Sequence, residues 1–385
     1  MRKIATVLAL VLIGGGLVGA TGSPSQAPAP ANPAAATPAG PTEKALEAYL
    51  LKYLPFDPDS RVTVARTAEK TVPGFRAYKF KRTGRYSKLD LDKVVFLSED
   101  GKWFFAGDTL PNVDPKPVRT SEDLNWLSTY LTNLFHSSAH AALAPERDRG
   151  GLKGILIATE TGYGRVRLPG YTPPDGRVFL QGTLFDFSED PRAERRRMID
   201  LSGGPVQGPA DARVNVVEYA DMECGYCKFR GQQMDRLLEA NAGIVSVRRY
   251  YKFFPLWLAH VWAMKAASAG ECIFRFAGAG PMFRFKQQVY TAQESMTVGG
   301  IDQLAVSTAQ GEGVSMSDFL SCYLRDESFA PVTKDMEEGY RLGVNSTPTY
   351  FVDGTEITWL EDKVMEDFLR GLFPKIKTIE YGARK

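Results

Sequence analysis

The 385-residue chain has few cysteines, few histidines and no excess of either charge. Four cysteines are too few for a disulfide-rich scaffold, so any cysteine chemistry must reside in particular pairs. Three histidines (His136, His140 and His260) leave little room for a histidine-based metal site, and we expect neither a metal nor a cofactor. A formal net charge of +2 gives no electrostatic basis for nucleic-acid binding. The composition, with 44% apolar and 24% charged residues, is that of a globular protein.

Long apolar runs are also lacking, except at the start of the chain. Residues 1–20 combine Arg2 and Lys3, an apolar stretch and small residues at its end, which predicts a cleaved export signal. An uncleaved membrane anchor is the alternative, because the stretch approaches the lower limit for spanning a bilayer. Residues 21–41 are rich in Pro and Ala and predict an extended tether. We therefore expect a periplasmic or other extracytoplasmic protein, tethered to the membrane if the signal is retained.

Residues 42–200 have the pattern of an α+β domain. Thr42 is typical of a helix cap, and a second helix is indicated at residues 121–137. Asp100-Gly101 and Asp175-Gly176 each stand between apolar runs, which predicts two hairpins with similar flanking sequences. We interpret the domain as two related modules, at about residues 42–117 and 118–200, with chance similarity of two hairpins as the alternative.

A charged run at residues 192–197 is interpreted as a solvated helix face, with a docking patch as the alternative. Gly and Pro at residues 203–209 predict a linker. A new domain is expected from residue 211 to residue 385. In it, a β-branched run leads to Cys224-Gly225-Tyr226-Cys227, and a helical pattern follows.

This strand–Cys-x-x-Cys–helix order is suited to disulfide exchange. A thiolate at Cys224 would be stabilised by the free N–H groups and the dipole of the helix, which makes Cys224 the expected nucleophile. Cys227, in the first helical turn, is close enough to resolve a mixed disulfide. A zinc half-site is the alternative, but no second Cys-x-x-Cys is present to complete it.

Three motifs occur in order: residues 216–227, the Phe-Pro-Leu at 254–256 before an expected helix containing His260, and residues 343–354. Together they resemble the Dsb-type periplasmic thiol-disulfide oxidoreductases, which have a thioredoxin fold with a helical insertion. The resemblance implies an insertion at about residues 256–342 and a cis Pro348 that binds substrate together with Thr347. It also implies that Glu218 is a buried acid that handles the proton of Cys227. The alternative is that Glu218 points to solvent or is satisfied by a neighbour.

The other two cysteines, Cys272 and Cys322, fall in helices of the insertion. In an exported chain they are expected to form a structural disulfide, with buried free thiols or a second exchange pair as alternatives. Between the catalytic cysteines, Gly225 and Tyr226 supply no positive group to tune the redox potential. Glu223 should disfavour the thiolate, which predicts a moderate oxidant.

The predicted fold is thus α/β: a thioredoxin-like domain with a helical cap, preceded by an α+β domain. The predicted function is disulfide exchange with cysteine-containing exported proteins, together with a membrane or soluble redox partner. Residues 182–192 are similar to the stretch that joins a dimerisation module to the catalytic domain in isomerase-like relatives. That similarity implies client holding or a homodimer and leaves an isomerase or reductase as an alternative. A surface binding or scaffold protein is the other alternative.

Overall fold

The structure is a computed structural model that describes residues 42–86, 93–161, 164–325, 328–358 and 361–380. The expected signal peptide at residues 1–20 and the expected tether at residues 21–41 lie outside the described residues. Within the described ranges, no helix is long and apolar enough to cross a membrane.

The first half of the N-terminal region is a helix followed by five strands. Helix α1 (Glu43–Tyr53) starts where the sequence predicts, because the Thr42 hydroxyl accepts the backbone N–H of Ala45 at 3.3 Å. The strands are β1 (Arg61–Arg66), β2 (Phe75–Thr83), β3 (Lys93–Ser98), β4 (Trp103–Phe105) and β5 (Asp108–Pro111).

The second half repeats this order, with α2 (Asn125–Phe135) after a 3-10 turn and five further strands. His136 ends α2 in the left-handed conformation, and His140 lies in the next strand. Both Asp-Gly turns connect antiparallel neighbours, as predicted for hairpins. The strands are β6 (Ala139–Leu143), β7 (Lys153–Thr161), β8 (Gly164–Thr172), β9 (Val178–Gln181) and β10 (Leu184–Asp186).

The last strand of each half belongs to the sheet of the other half. One sheet has the order β1-β2-β3-β4-β10 and the other has the order β5-β9-β8-β7-β6. The chain passes from one sheet to the other at Gly107 and again at Gly182, and these two crossing points lie next to each other. A Cβ at Gly107 would lie 2.4 Å from the Gln181 carbonyl oxygen, and one at Gly182 would lie 3.2 Å from the Phe105 ring. A module boundary between residues 117 and 118 therefore does not separate the two sheets, because each half contributes its last strand to the sheet of the other half.

The second domain is built on a sheet of order β11-β13-β12-β14-β15. Neighbours β12 and β13 are parallel and are connected through helix α4 (Gly225–Ala240), whereas the other pairs are antiparallel. The expected linker is wrong in part, because β11 lies inside it and pairs with β13, so that this sheet begins before residue 211. The strands are β11 (Val206–Gln207), β12 (Val214–Ala220), β13 (Val247–Phe253), β14 (Thr349–Val352) and β15 (Thr355–Ile357).

Among the described residues, five helices form the insertion between β13 and β14, as predicted, and one helix follows the sheet. The expectation that His260 lies in a helix is wrong, because the first insertion helix begins at Ala263 and the segment before it is hydrogen-bonded to the turn that holds the cysteines. The helices are α5 (Ala263–Ala277), α6 (Ala279–Ala292), α7 (Val298–Gly311), α8 (Met316–Tyr323), α9 (Phe329–Leu342) and α10 (Val364–Leu372).

Helix α3 (Pro191–Met198), which holds the charged run, connects the two domains. The interpretation as a solvated face is wrong for Arg195, which is only 1% exposed. Its guanidinium lies 4.5 Å from the centre of the Tyr53 ring and 5.6 Å from that of Phe351, and it contacts Glu356 at 3.3 Å. Aromatic rings from both domains, together with the Glu356 carboxylate, thus replace the water around the Arg195 charge.

Candidate active site

The two free cysteines lie at the start of α4, directly after β12. Cys224 is the N-cap residue, and its carbonyl oxygen accepts the backbone N–H groups of Cys227 at 3.0 Å and Lys228 at 3.2 Å. Negative charge at this position is favoured by the helix dipole. Cys224 is 7% exposed and Cys227 is 0% exposed, so Cys224 is the sulfur that a substrate can reach.

The pKa values of the two thiols move in opposite directions. The hydrogen bond with Cys227 lowers the pKa of Cys224 to about 7, although burial acts against this shift. Burial raises the pKa of Cys227 well above its ordinary value, and the hydrogen bond with Cys224 adds to the increase. The backbone N–H of Asp221 donates to Cys227 Sγ at 3.4 Å. Near neutral pH the negative charge of the pair therefore resides on Cys224.

Thr347 and Pro348 lie beside the cysteine pair. Their peptide bond is cis, and Cys224 Sγ donates a hydrogen bond to the Thr347 carbonyl oxygen at 3.4 Å. Thr349 then starts β14, where it pairs with Tyr219 of β12. The pairing of these strands brings the two residues expected to bind substrate against Cys224.

Glu218 lies on β12 and is 2% exposed. Its carboxylate accepts hydrogen bonds from the Arg249 guanidinium at 3.4 Å and from the Tyr350 hydroxyl at 3.2 Å. The burial of Glu218 agrees with the buried acid that the family resemblance implies. Its hydrogen bonds with Arg249 and Tyr350 agree with the alternative, in which neighbouring residues pair with the carboxylate. The role of Glu218 in handling the proton of Cys227 remains a prediction.

The dipeptide between the cysteines brings no positive charge to the site. Tyr226 is 46% exposed and lies two residues after Cys224. A Cβ at Gly225 would have Gln293 Oε1 as its nearest neighbour, at 4.0 Å, so space does not require glycine there. Redox tuning by Gly225 and Tyr226 remains a prediction.

Cys272 on α5 and Cys322 on α8 are joined by a disulfide bond, with their Cα atoms 6.0 Å apart. Both residues are buried. The bond connects two helices of the insertion, and neither sulfur is open to an incoming thiol. Of the three alternatives for this pair, the structure contains the structural disulfide.

A cluster that sequence reasoning did not bring together lies against the active-site turn. Asp221, which is buried, accepts hydrogen bonds from the backbone N–H of Leu256 at 2.7 Å and from His260 Nδ1 at 2.6 Å. Glu223 accepts the backbone N–H groups of Val261 at 3.2 Å and Trp262 at 2.7 Å. Two acids just before Cys224, and a histidine in the second family motif, were the available sequence signal.

The arrangement so far is a nucleophilic thiolate at a helix N-terminus, a resolving thiol and a cis-proline turn. Residues 200–370 match the family model described as thioredoxin. This part of the chain is a thioredoxin-like domain. The match confirms the predicted fold of the second domain and the family resemblance seen in its three motifs. The α+β region that precedes this domain is also present, as expected.

Curated sodium/proton antiporters are similar to part of this chain. The Na(+)/H(+) antiporter NhaA 3 of Salinispora tropica is 28% identical over 156 residues, which are 40% of this chain and 22% of the antiporter. A second antiporter, from Salinispora arenicola, is 26% identical over 221 residues, 56% of this chain and 32% of its own. The chain thus spans less than a third of these curated relatives.

Among solved structures, oxidised BdbD of Bacillus subtilis is 20% identical, with a TM-score of 0.39. The alignment covers 46% of this chain and 95% of BdbD. Alpha-DsbA1 of Wolbachia pipientis is 18% identical, with a TM-score of 0.39 and coverage of 47% of this chain and 96% of that protein.

Proposed function

We propose that the protein is a thiol-disulfide oxidoreductase that exchanges disulfides with cysteine-containing exported proteins through Cys224 and Cys227. The observation that carries this proposal is the asymmetry of the pair. Cys224 is the more exposed sulfur and has a lowered pKa, whereas Cys227 is fully buried and has a raised one. A nucleophile and a resolving thiol need these two environments.

In the reducing direction, the Cys224 thiolate attacks one sulfur of a substrate disulfide, and the other substrate sulfur leaves as a thiolate. Cys227 then loses its proton and attacks Cys224 Sγ, which breaks the mixed disulfide and releases the second substrate thiolate. The substrate gains two electrons and the Cys224–Cys227 pair loses them. The oxidising direction is the reverse. Glu218, buried on β12, is the residue we assign to accept the proton of Cys227.

Two assays on the full chain test this proposal: reduction of insulin and oxidation of a dithiol peptide. Activity in either assay that disappears in Cys224→Ser supports exchange at this site. Failure of the wild-type chain in both assays, with the fold intact by circular dichroism, would contradict it and favour the binding or scaffold alternative. A glutathione titration of the Cys224–Cys227 pair then measures the reduction potential and so the preferred direction.

An extracytoplasmic location is part of the proposal. It is supported by the export-signal pattern of residues 1–20 and by the buried Cys272–Cys322 bond, because structural disulfides persist mainly in oxidising compartments. There a membrane or soluble partner would reoxidise or reduce the Cys224 pair. Fractionation of the producing cell, with detection of the mature N-terminus, tests both location and cleavage.

Isomerase activity is the second candidate, and the topology of the N-terminal region favours it. Its two halves complete each other's sheets, so that one chain contains a paired module of the kind that two subunits would otherwise form. Such a paired surface could hold a misfolded client, and it removes the need for strand pairing between chains. We therefore expect a monomer by light scattering and reactivation of scrambled ribonuclease A. A stable dimer would instead support the homodimer interpretation.

A further inference from the structure

The segment between β13 and α5 lies over the active-site turn and is held there by two acids. Asp221 has 1% of its surface exposed and accepts three hydrogen bonds, from the N–H of Glu223 at 2.7 Å, the N–H of Leu256 at 2.7 Å and Nδ1 of His260 at 2.6 Å. Asp221 also contacts the cysteine pair through its backbone: its N–H donates to Cys227 Sγ, and its carbonyl accepts the N–H of Cys224 at 3.2 Å. His260 is thereby fixed beside the reactive turn.

The charges around Cys224 are unbalanced without this histidine. Asp221 and Glu223 lie within three residues of Cys224 in sequence, and the dipeptide between the cysteines contributes no cation. Burial and, after it, the Asp221 charge raise the pKa of Cys224, against the larger lowering by the Cys227 hydrogen bond. A positive group at this point would offset the acids and favour the thiolate.

The surroundings of His260 favour its protonated form. Burial lowers its pKa, but the hydrogen bond and charge of Asp221, followed by the charges of Cys224 and Glu223, outweigh burial and raise the pKa above 6.5. Its side chain is 17% exposed, so protons can exchange with solvent. Since Nδ1–H is engaged by Asp221, the proton that is gained and lost is the one on Nε2.

We propose that His260, fixed by Asp221, is a positioning residue that supplies the positive charge stabilising the Cys224 thiolate. This inference rests on the proposed function and identifies a tuning residue outside the Cys-x-x-Cys dipeptide. The titratable groups that face His260 are Asp221 and Glu223 from the turn after β12 and Cys224 from the start of α4. From the N-terminal region, the segment is contacted by an aromatic ring, Phe135 against Trp257 at 5.7 Å.

The first test is the thiolate absorbance of the reduced full chain as a function of pH, in wild type and His260→Gln. The glutamine keeps an N–H donor for Asp221 but cannot carry the charge. We expect the Cys224 titration in His260→Gln to move up by about one pH unit, a roughly tenfold smaller thiolate-to-thiol ratio below the His260 pKa. The difference should shrink as the pH rises through that pKa. His140→Gln, at an exposed histidine, is the matched control and should leave the curve unchanged.

The same variant should change the equilibrium with glutathione by about tenfold in favour of the disulfide form, which corresponds to ~30 mV. An unchanged Cys224 titration in a folded His260→Gln protein would overturn the proposal, because the histidine would then be only an anchor for the segment. If His260→Gln does not fold, the reciprocal measurement decides. In Cys224→Ser, the NMR titration of His260 should shift to lower pH, and an unshifted titration would overturn the proposal.

These readouts separate the proposal from the proposed function. Thiolate absorbance and the histidine titration require no substrate, so they can fail while insulin reduction proceeds normally. Conversely, a wild-type chain that exchanges no disulfide would refute the proposed function, although the electrostatic coupling of His260 and Cys224 could still be measured.

Discussion

Replacing Arg195 by methionine should destabilise the docking of the two domains. The guanidinium of Arg195 is 1% exposed and lies between Tyr53 of the N-terminal region and Phe351 of the thioredoxin-like domain. A desolvated cation–π contact contributes about 2 kcal/mol. A hydrogen bond to a charged group contributes about 1.5–3 kcal/mol, and the lower value applies here because the Glu356 side chain is 22% exposed and water can replace its partner.

Methionine retains much of the apolar contact, so the lost contributions are those of the charge. We expect Arg195→Met to lower the free energy of unfolding by about 3 kcal/mol, since the two effects are not fully additive. Urea unfolding followed by tryptophan fluorescence measures this change. Arg197→Met is the matched control on the same helix, because Arg197 is 58% exposed and pairs at the surface with Glu189. Its effect should stay within about 0.5 kcal/mol. Equal effects of the two substitutions would refute the reasoning.

Three further predictions concern the cysteines. Cys227→Ser should trap mixed disulfides with client proteins in the producing cell and Cys224→Ser should not; equal trapping by both would contradict the assigned roles. Alkylation of Cys224 by iodoacetamide in the reduced protein should increase with pH around a midpoint of about 7, because the thiolate is the reactive form; a midpoint above 8.5, the ordinary value, would contradict the lowered pKa. Cys272–Cys322 should remain intact when the Cys224 pair is reduced, and Cys272→Ala with Cys322→Ala should cost about 4 kcal/mol of stability for a 50-residue separation; recovery of Cys272 as an alkylatable thiol in native, unreduced protein would count against it.

The candidate site could be predicted from sequence to the extent that its signals are local. A β-branched strand, the Cys-x-x-Cys turn and a helical pattern lie within one short stretch, and each predicts its neighbour. The Asp221–His260 bond has no such signal, because its partners are 39 residues apart. Sequence places both in family motifs, but contact between them depends on how the segment after β13 folds back over the turn.

The exchange of strands between the two N-terminal sheets was also hidden from sequence. The exchanged strands, β5 and β10, have only four and three residues, and the alternation of their side chains is the same whichever sheet they join. The glycines at the two crossing points recur in the similar stretches of the two halves, but sequence alone does not distinguish a crossing point from a tight turn. Arg195 was misassigned for a related reason: a run of arginines is solvated on most helices, and only packing against two domains buries one of them.

The contacts between domains change how the role of residues 42–200 can be established. The N-terminal region contacts two parts of the thioredoxin-like domain that lie beside Cys224: the segment before α5 and strand β14. Phe135 contacts Trp257 in the segment that contains His260, and Arg195 contacts Phe351 in the strand that follows Pro348. Deleting the region would uncover these rings and move the residues that tune the thiol. A loss of isomerase activity after deletion would therefore mix client holding with disturbance of the exchange site. Substitutions on exposed strand positions of the paired sheets, made in the full chain, separate the two because they leave both contacts in place.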